Sequence, residues 1–168
     1  MSEGVAPDVV IRPVTQDDLD ALVEIYLAGA RHHATIDPEG FRVPDRAAVA
    51  ERLRGRFEGR GADHCYVIAT VDGVPAGSAT MDVDEEPHPG NMRRPIPSAE
   101  LGIAVLEEFR GRGIGKALIA HLEAWATGHG LQRSTLTVTE TNEGAIRLYH
   151  ELGYRDVGRE MRKDLPRP

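Results

Sequence analysis

The sequence predicts one domain of the α/β class, with a mixed twisted sheet of about six or seven strands flanked by about four helices. Three observations lead there. The chain has 168 residues, 40% of them hydrophobic, which suits a single domain with a sizeable core. Apolar runs of strand length are interleaved with segments whose apolar residues recur at helical spacing. Asp72-Gly73 joins two of those runs, a strong signal for an antiparallel hairpin.

Taken in order, residues 1–8 carry no apolar pattern and read as a disordered leader. The domain is expected over 9–165. Val9–Pro13 reads as a short strand. Thr15-Gln-Asp-Asp18 resembles a capping box with Asp in place of Glu. Leu19, Leu22, Val23, Tyr26 and Leu27 then give a helical face to about Ala30. Residues 31–45 read as a linker, with His32 and His33 part of a solvated loop. Asp45 can cap a second helix over about 46–57, whose apolar positions are Val49, Leu53 and Phe57.

Strands are expected at 64–71 and 76–83. Cys65 lies inside the first with no base partner nearby, so it reads as a small core residue. Asp82, Asp84, Glu85 and Glu86 cluster at the end of the second. They read as a solvated acidic loop, with attraction of a cationic amine as the functional alternative. Four prolines stiffen the loop that follows, 84–97.

Residues 101–106 read as a buried strand. Arg110-Gly111-Arg112-Gly113-Ile114-Gly115-Lys116 follows, a glycine-rich turn with three cations. Ile114, Leu118, Leu122 and Trp125 then recur at helical spacing. Strand, glycine turn and helix make an anion site: bared amides converge there and the helix dipole adds about half a positive charge. A nucleoside-triphosphate loop is excluded, because Arg110 stands where its first glycine belongs and Ala117 replaces the hydroxyl residue. A dinucleotide fingerprint fails in both registers, its third glycine falling on Lys116 or Leu118.

A second pattern follows a strand expected at 135–139. Asn142-x-x-Ala145-x-x-Leu148-Tyr149-x-x-x-Gly153-Tyr154 reads as a short helix with Asn142 as N-cap and Gly153 past its end. Residues 155–164 can add one more strand or a hairpin. Arg-x-x-Gly-x-Gly after a strand, followed at this distance by the second pattern, resembles the GNAT superfamily of N-acetyltransferases. The resemblance is firm over about 99–155. The opening Val9-Val-Ile-Arg-Pro and its helix also look like that family.

The resemblance implies a mostly antiparallel sheet, acetyl-CoA as co-substrate and an amine as acceptor. It implies that Arg110, Gly111, Arg112, Gly113, Ile114, Gly115 and Lys116 hold the pyrophosphate. The backbone of Ile103, Ala104 and Val105 would pair with the pantetheine arm and polarise the thioester. Asn142 would cap its helix and contact the cofactor. Tyr149 would protonate the leaving thiolate, since a phenol of pKa about 10 is protonated at neutral pH. Glu100 is the candidate base for the amine, with a water as the rival. Gly102 marks a bulge or a close backbone approach. Direct transfer in a ternary complex is expected, with a non-catalytic acyl-CoA sensor as the alternative. The helix pair before residue 58 would overhang the acceptor.

A net charge of −7 argues against a dedicated nucleic-acid binder. One cysteine leaves no internal disulfide and fits a cytoplasmic setting. There is no signal-peptide pattern and no membrane span. No acidic or thiol partner stands at ligand spacing from the histidines, so no metal is expected. A homodimer is compatible with all of this.

Overall fold

The computed structural model describes residues 9–58 and 61–166. The leader expected at 1–8 lies outside the described residues. The elements run β1 (Val9–Pro13), α1 (Leu19–Ile36), α2 (Arg46–Glu58), β2 (His64–Val71), β3 (Val74–Val83), β4 (Ser98–Val105), α3 (Ile114–Gly128), β5 (Arg133–Thr135) and α4 (Glu143–Glu151). The strands form one mixed sheet in the order β1-β2-β3-β4-β5. The first four are antiparallel neighbours, and β5 runs parallel to β4.

Burial on both faces explains the near-continuous apolar strands. On one face Ile114, Leu118, Ile119 and Leu122 of α3 pack on Val67, Ala79, Met81 and Leu101. On the other, Leu22, Val23 and Ile25 of α1 and Leu53 of α2 pack on Ile68. Asp72 and Gly73 turn the β2–β3 hairpin with φ of 49° and 81°, the positive values that a tight two-residue hairpin demands. The capping box expected at Thr15–Asp18 forms ahead of α1 and is reinforced by an ion pair. Asp18 accepts the Thr15 amide at 2.7 Å and both guanidinium nitrogens of Arg12 at 2.7 Å. Arg12 thereby holds the Asp18 carboxyl down at about 2, against an ordinary 3.8.

Four expectations need correction. The sheet has five strands among the described residues, not six or seven. Residues 155–164 form neither strand nor hairpin. Their charges alternate without an apolar face, and Val157 and Met161 are each 87% exposed. The strand expected at 135–139 is Arg133–Thr135 instead, because Leu136 turns in against the α3 core. And α1 continues to Ile36, so His32 and His33 are helical rather than in a loop. Nothing in Arg31–Ile36 breaks a helix; the first breaker is Pro38, which disfavours helical backbone at Asp37.

Candidate active site

The sheet opens at β4. Its parallel ladder with β5 covers Ser98, Ala99 and Glu100 and then stops. Beyond Glu100 the strand stays paired to β3 through Val105, but no described strand covers its other edge. Backbone hydrogen-bonding groups on that edge of Leu101–Val105 therefore face a gap, an arrangement ready to accept an extended ligand. Alternation sorts the side chains. Leu101, Ile103 and Val105 pack towards α3, while Ala104 packs with α1. Gly102 keeps regular register opposite Thr80. A Cβ there would meet Thr80 Oγ1 at 3.0 Å, so this glycine marks a close approach and not a bulge.

The chain leaves β4 through a 3-10 turn, Glu107–Phe109, and enters the glycine turn. Gly111 and Gly113 have φ of +73° and +80°, and a Cβ on either would meet nothing within 4 Å. Glycine is needed there for backbone conformation, and the space in front is open. Ile114 is buried at 2% and anchors the first turn of α3. Each cation has a resting partner. Arg110 Nε donates to the Val105 carbonyl at 3.2 Å. Arg112 lies 5.3 Å over the Phe109 ring, and Lys116 Nζ meets Glu151 Oε2 at 2.8 Å. The fixed positive element is the helix end, whose first amides lack helical acceptors.

α4 closes the site from the third side. A Cβ on Gly115 would touch Leu148 of α4 at 3.5 Å and Ile103 of β4 at 3.8 Å, so three elements meet here. Asn142 caps α4, its Oδ1 accepting from the Ala145 amide at 3.3 Å. Tyr149, one position after Leu148, packs against the α3-side core. Its ring stands edge-on to Tyr154, 5.8 Å between centroids. Burial pushes the Tyr149 phenol above its ordinary 10. Tyr154 is fully engaged: its hydroxyl bonds Ser134 at 2.9 Å and Glu123 at 2.8 Å, and burial is the main reason its phenol rises to about 12. Glu100 is exposed, opposite Asp82 in register. It shares a strand face with Gly102 and stands immediately before the open edge.

A cavity of about 550 Å³ lies on the α1/α2 face of the same strand. Gly102, Ile103 and Ala104 form part of its lining, with Tyr26, His33 and Phe41 opposite. His33 stacks on Phe41 at 4.9 Å between centroids. Its Nδ1 is buried without a partner, and burial holds its pKa below the ordinary value. Sequence reasoning missed Phe41, Arg42, Arg52 and Arg56 on this wall. The signal for the two on α2 was Arg52-Leu-Arg-Gly-Arg56, which the apolar periodicity of that helix masked. Asp82, the first residue of the acidic cluster, is tied to Arg56 Nη2 at 2.7 Å and to His64 Nδ1. Among the described residues no helix is long and apolar enough to cross a membrane.

Comparisons with known proteins bear on the family and the fold. Residues 27–154 match the Acetyltransferase (GNAT) family. Aminoglycoside N(6')-acetyltransferase type 1 of Salmonella typhimurium is 32% identical over 99 residues, 58% of this chain and 68% of that protein. Among solved structures, the BH1408 protein of Bacillus halodurans superposes with a TM-score of 0.82 at 21% identity, over 93% of this chain and 99% of that one. The aminoglycoside N-acetyltransferase AAC(6')-Iy in complex with CoA gives 0.71 at 21% identity, over 96% and 97%. At such identities the superpositions establish the fold. The family match spans most of the chain and takes in both sequence patterns, so the protein belongs to the GNAT family of acetyltransferases.

Proposed function

We propose that this acyltransferase moves an acetyl group from acetyl-CoA to a primary amine of a small molecule or peptide, directly, in a ternary complex. One observation carries the reading: the open edge of β4 runs from the glycine turn to the lining of a cavity large enough for a small acceptor. The similar fold solved with CoA supports the choice of donor. Gly111 and Gly113 leave room for a pyrophosphate at the start of α3. The Ile103, Ala104 and Val105 backbone pairs with the pantetheine arm, and an amide in that stretch donates to the thioester oxygen. A donor set for a developing oxyanion is worth roughly 3 kcal/mol.

The acceptor must first lose a proton. An alkylammonium of pKa about 10.4 leaves only about one molecule in a few thousand neutral at pH 7. Glu100, or a water beside it, takes that proton. The amine nitrogen attacks the acetyl carbon, the C–S bond breaks, the sulfur takes a proton from Tyr149, and the nitrogen sheds its second proton, which restores the phenol. Burial keeps that phenol protonated, and its hydroxyl has no hydrogen-bond partner among the described residues. Asn142 holds α4 in place and contacts the cofactor arm.

The test is thiol release from acetyl-CoA with an amine panel, parent beside Tyr149→Phe, with CoA binding measured for both. Amine-driven release that falls at least tenfold in the variant, with CoA binding unchanged, supports transfer and the general-acid role. Tight CoA binding without release for any amine points instead to a sensor.

A further inference from the structure

The acceptor wall carries a charge opposite to that of the whole chain. The protein has a net charge of −7. Yet Arg42, Arg52 and Arg56 line the cavity on the α1/α2 face, and no Asp or Glu does. Arg56 is neutralised by Asp82 at 2.7 Å. Arg52 lies over the Tyr26 ring at 4.6 Å and has no carboxylate partner among the described residues. Arg42 likewise has none. Asp37 and Glu39, close to Arg42 in the chain, look elsewhere: Asp37 accepts from the Gly40 amide and, with Glu39, leans towards Arg162.

These arginines are separate from the donor site. They come from the linker and helix that cover one face of the sheet, whereas α3 covers the other face. Two guanidinium forks without anions, held at the rim of a cavity whose wall includes Gly102, Ile103 and Ala104, suit a planar bidentate anion. A cationic amine would meet repulsion there. The volume of about 550 Å³ is in the usual range for small-molecule sites.

Taking the acetyl-transfer reading as its basis, we propose that the acceptor is an anionic amine: a small primary amine whose body carries carboxylate, gripped by Arg42 and Arg52 while its nitrogen points to β4. Asp82, the member of the acidic cluster that lies within β3, serves to hold Arg56 and His64.

The experiment pairs turnover with equilibrium binding. Aspartate and glutamate, their diamides, which lack the carboxylates, and putrescine are assayed as acceptors with acetyl-CoA. Binding of the same compounds to the CoA-loaded protein is measured by calorimetry. Parent, Arg42→Gln, Arg52→Gln and the double variant are compared. The expected result is kcat/KM at least tenfold higher for the acids than for their amides. In the double variant that advantage falls to about twofold, through KM and not kcat, with the KM for acetyl-CoA unchanged. Preference for putrescine, or an acid advantage that survives in the double variant, overturns the proposal. If no amine is acetylated, calorimetry still decides. Acid binding lost in the double variant upholds the anionic site while the transfer reading falls; equal binding of acids and amides sinks both. Both arginines are exposed, so a folding defect will not mimic either result.

Discussion

Gly77 on β3 sits where the open strand is braced from behind, and replacing it with alanine tests that brace. The added Cβ would lie 2.8 Å from the Ala104 carbonyl oxygen, 3.2 Å from Val105 Cγ2 and 3.3 Å from Val105 Cα. Two of the three are backbone atoms, so no rotamer change relieves the contact. β3 and β4 must move apart by a few tenths of an ångström. Overpacking of this kind costs about 1–3 kcal/mol. The less flexible unfolded chain returns about 0.4–1 kcal/mol. The net expectation is a loss of about 1–2 kcal/mol, a fall in Tm of several degrees at about 2–4 °C per kcal/mol for a domain of this size. Because the displaced residues are Ala104 and Val105, the KM for acetyl-CoA should rise as well. Gly55 in α2 is the control: a Cβ there meets nothing within 4 Å, so Gly55→Ala should stabilise by about 0.5–1 kcal/mol. Urea melts of both variants, with steady-state kinetics, are the assay. A Gly77→Ala protein as stable as the parent would refute the reasoning about β4.

The Arg12–Asp18 pair makes stability depend on acid. The folded carboxyl sits at about 2, below its ordinary 3.8, so its contribution is complete above pH 3.8 and disappears as pH falls through 2. Allowing for solvent screening at the half-exposed Arg12, Asp18→Asn should cost about 1–2 kcal/mol at pH 7 and little near pH 2; an equal loss at both pH values would contradict this. Burial raises the Tyr149 phenol above 10, so kcat should show no alkaline decline below that pH; a limb near pH 8–9 abolished by Tyr149→Phe would contradict the assignment. Cys65 is buried on β2 and its thiol is pushed up by burial. Cys65→Ala should therefore keep parental turnover, whereas a hundredfold loss of kcat in a folded variant would point to an acyl-enzyme at Cys65 in place of direct transfer.

Local chemistry made much of this protein legible from its sequence. Asp72-Gly73 determined a turn because its positive φ values suit those two residues. Arg110–Lys116 identified a strand-to-helix turn because glycine alone tolerates the backbone at 111 and 113. Asn142 and Gly153 bounded a helix through a cap hydrogen bond and a left-handed exit. These signals lie within a few residues of one another, so a linear reading captures them. The tertiary structure alone decided where β4 and β5 part, because that depends on Leu136 finding the α3 core across the chain. It also extended α1 through His33, and turned that histidine onto Phe41 and into a cavity. Most of all it set the sign of the acceptor wall. Net charge is a sum over the whole chain, but a ligand meets only the side chains that folding gathers. Here folding tied Asp82 to Arg56 and His64 and left Arg42 and Arg52 facing the cavity.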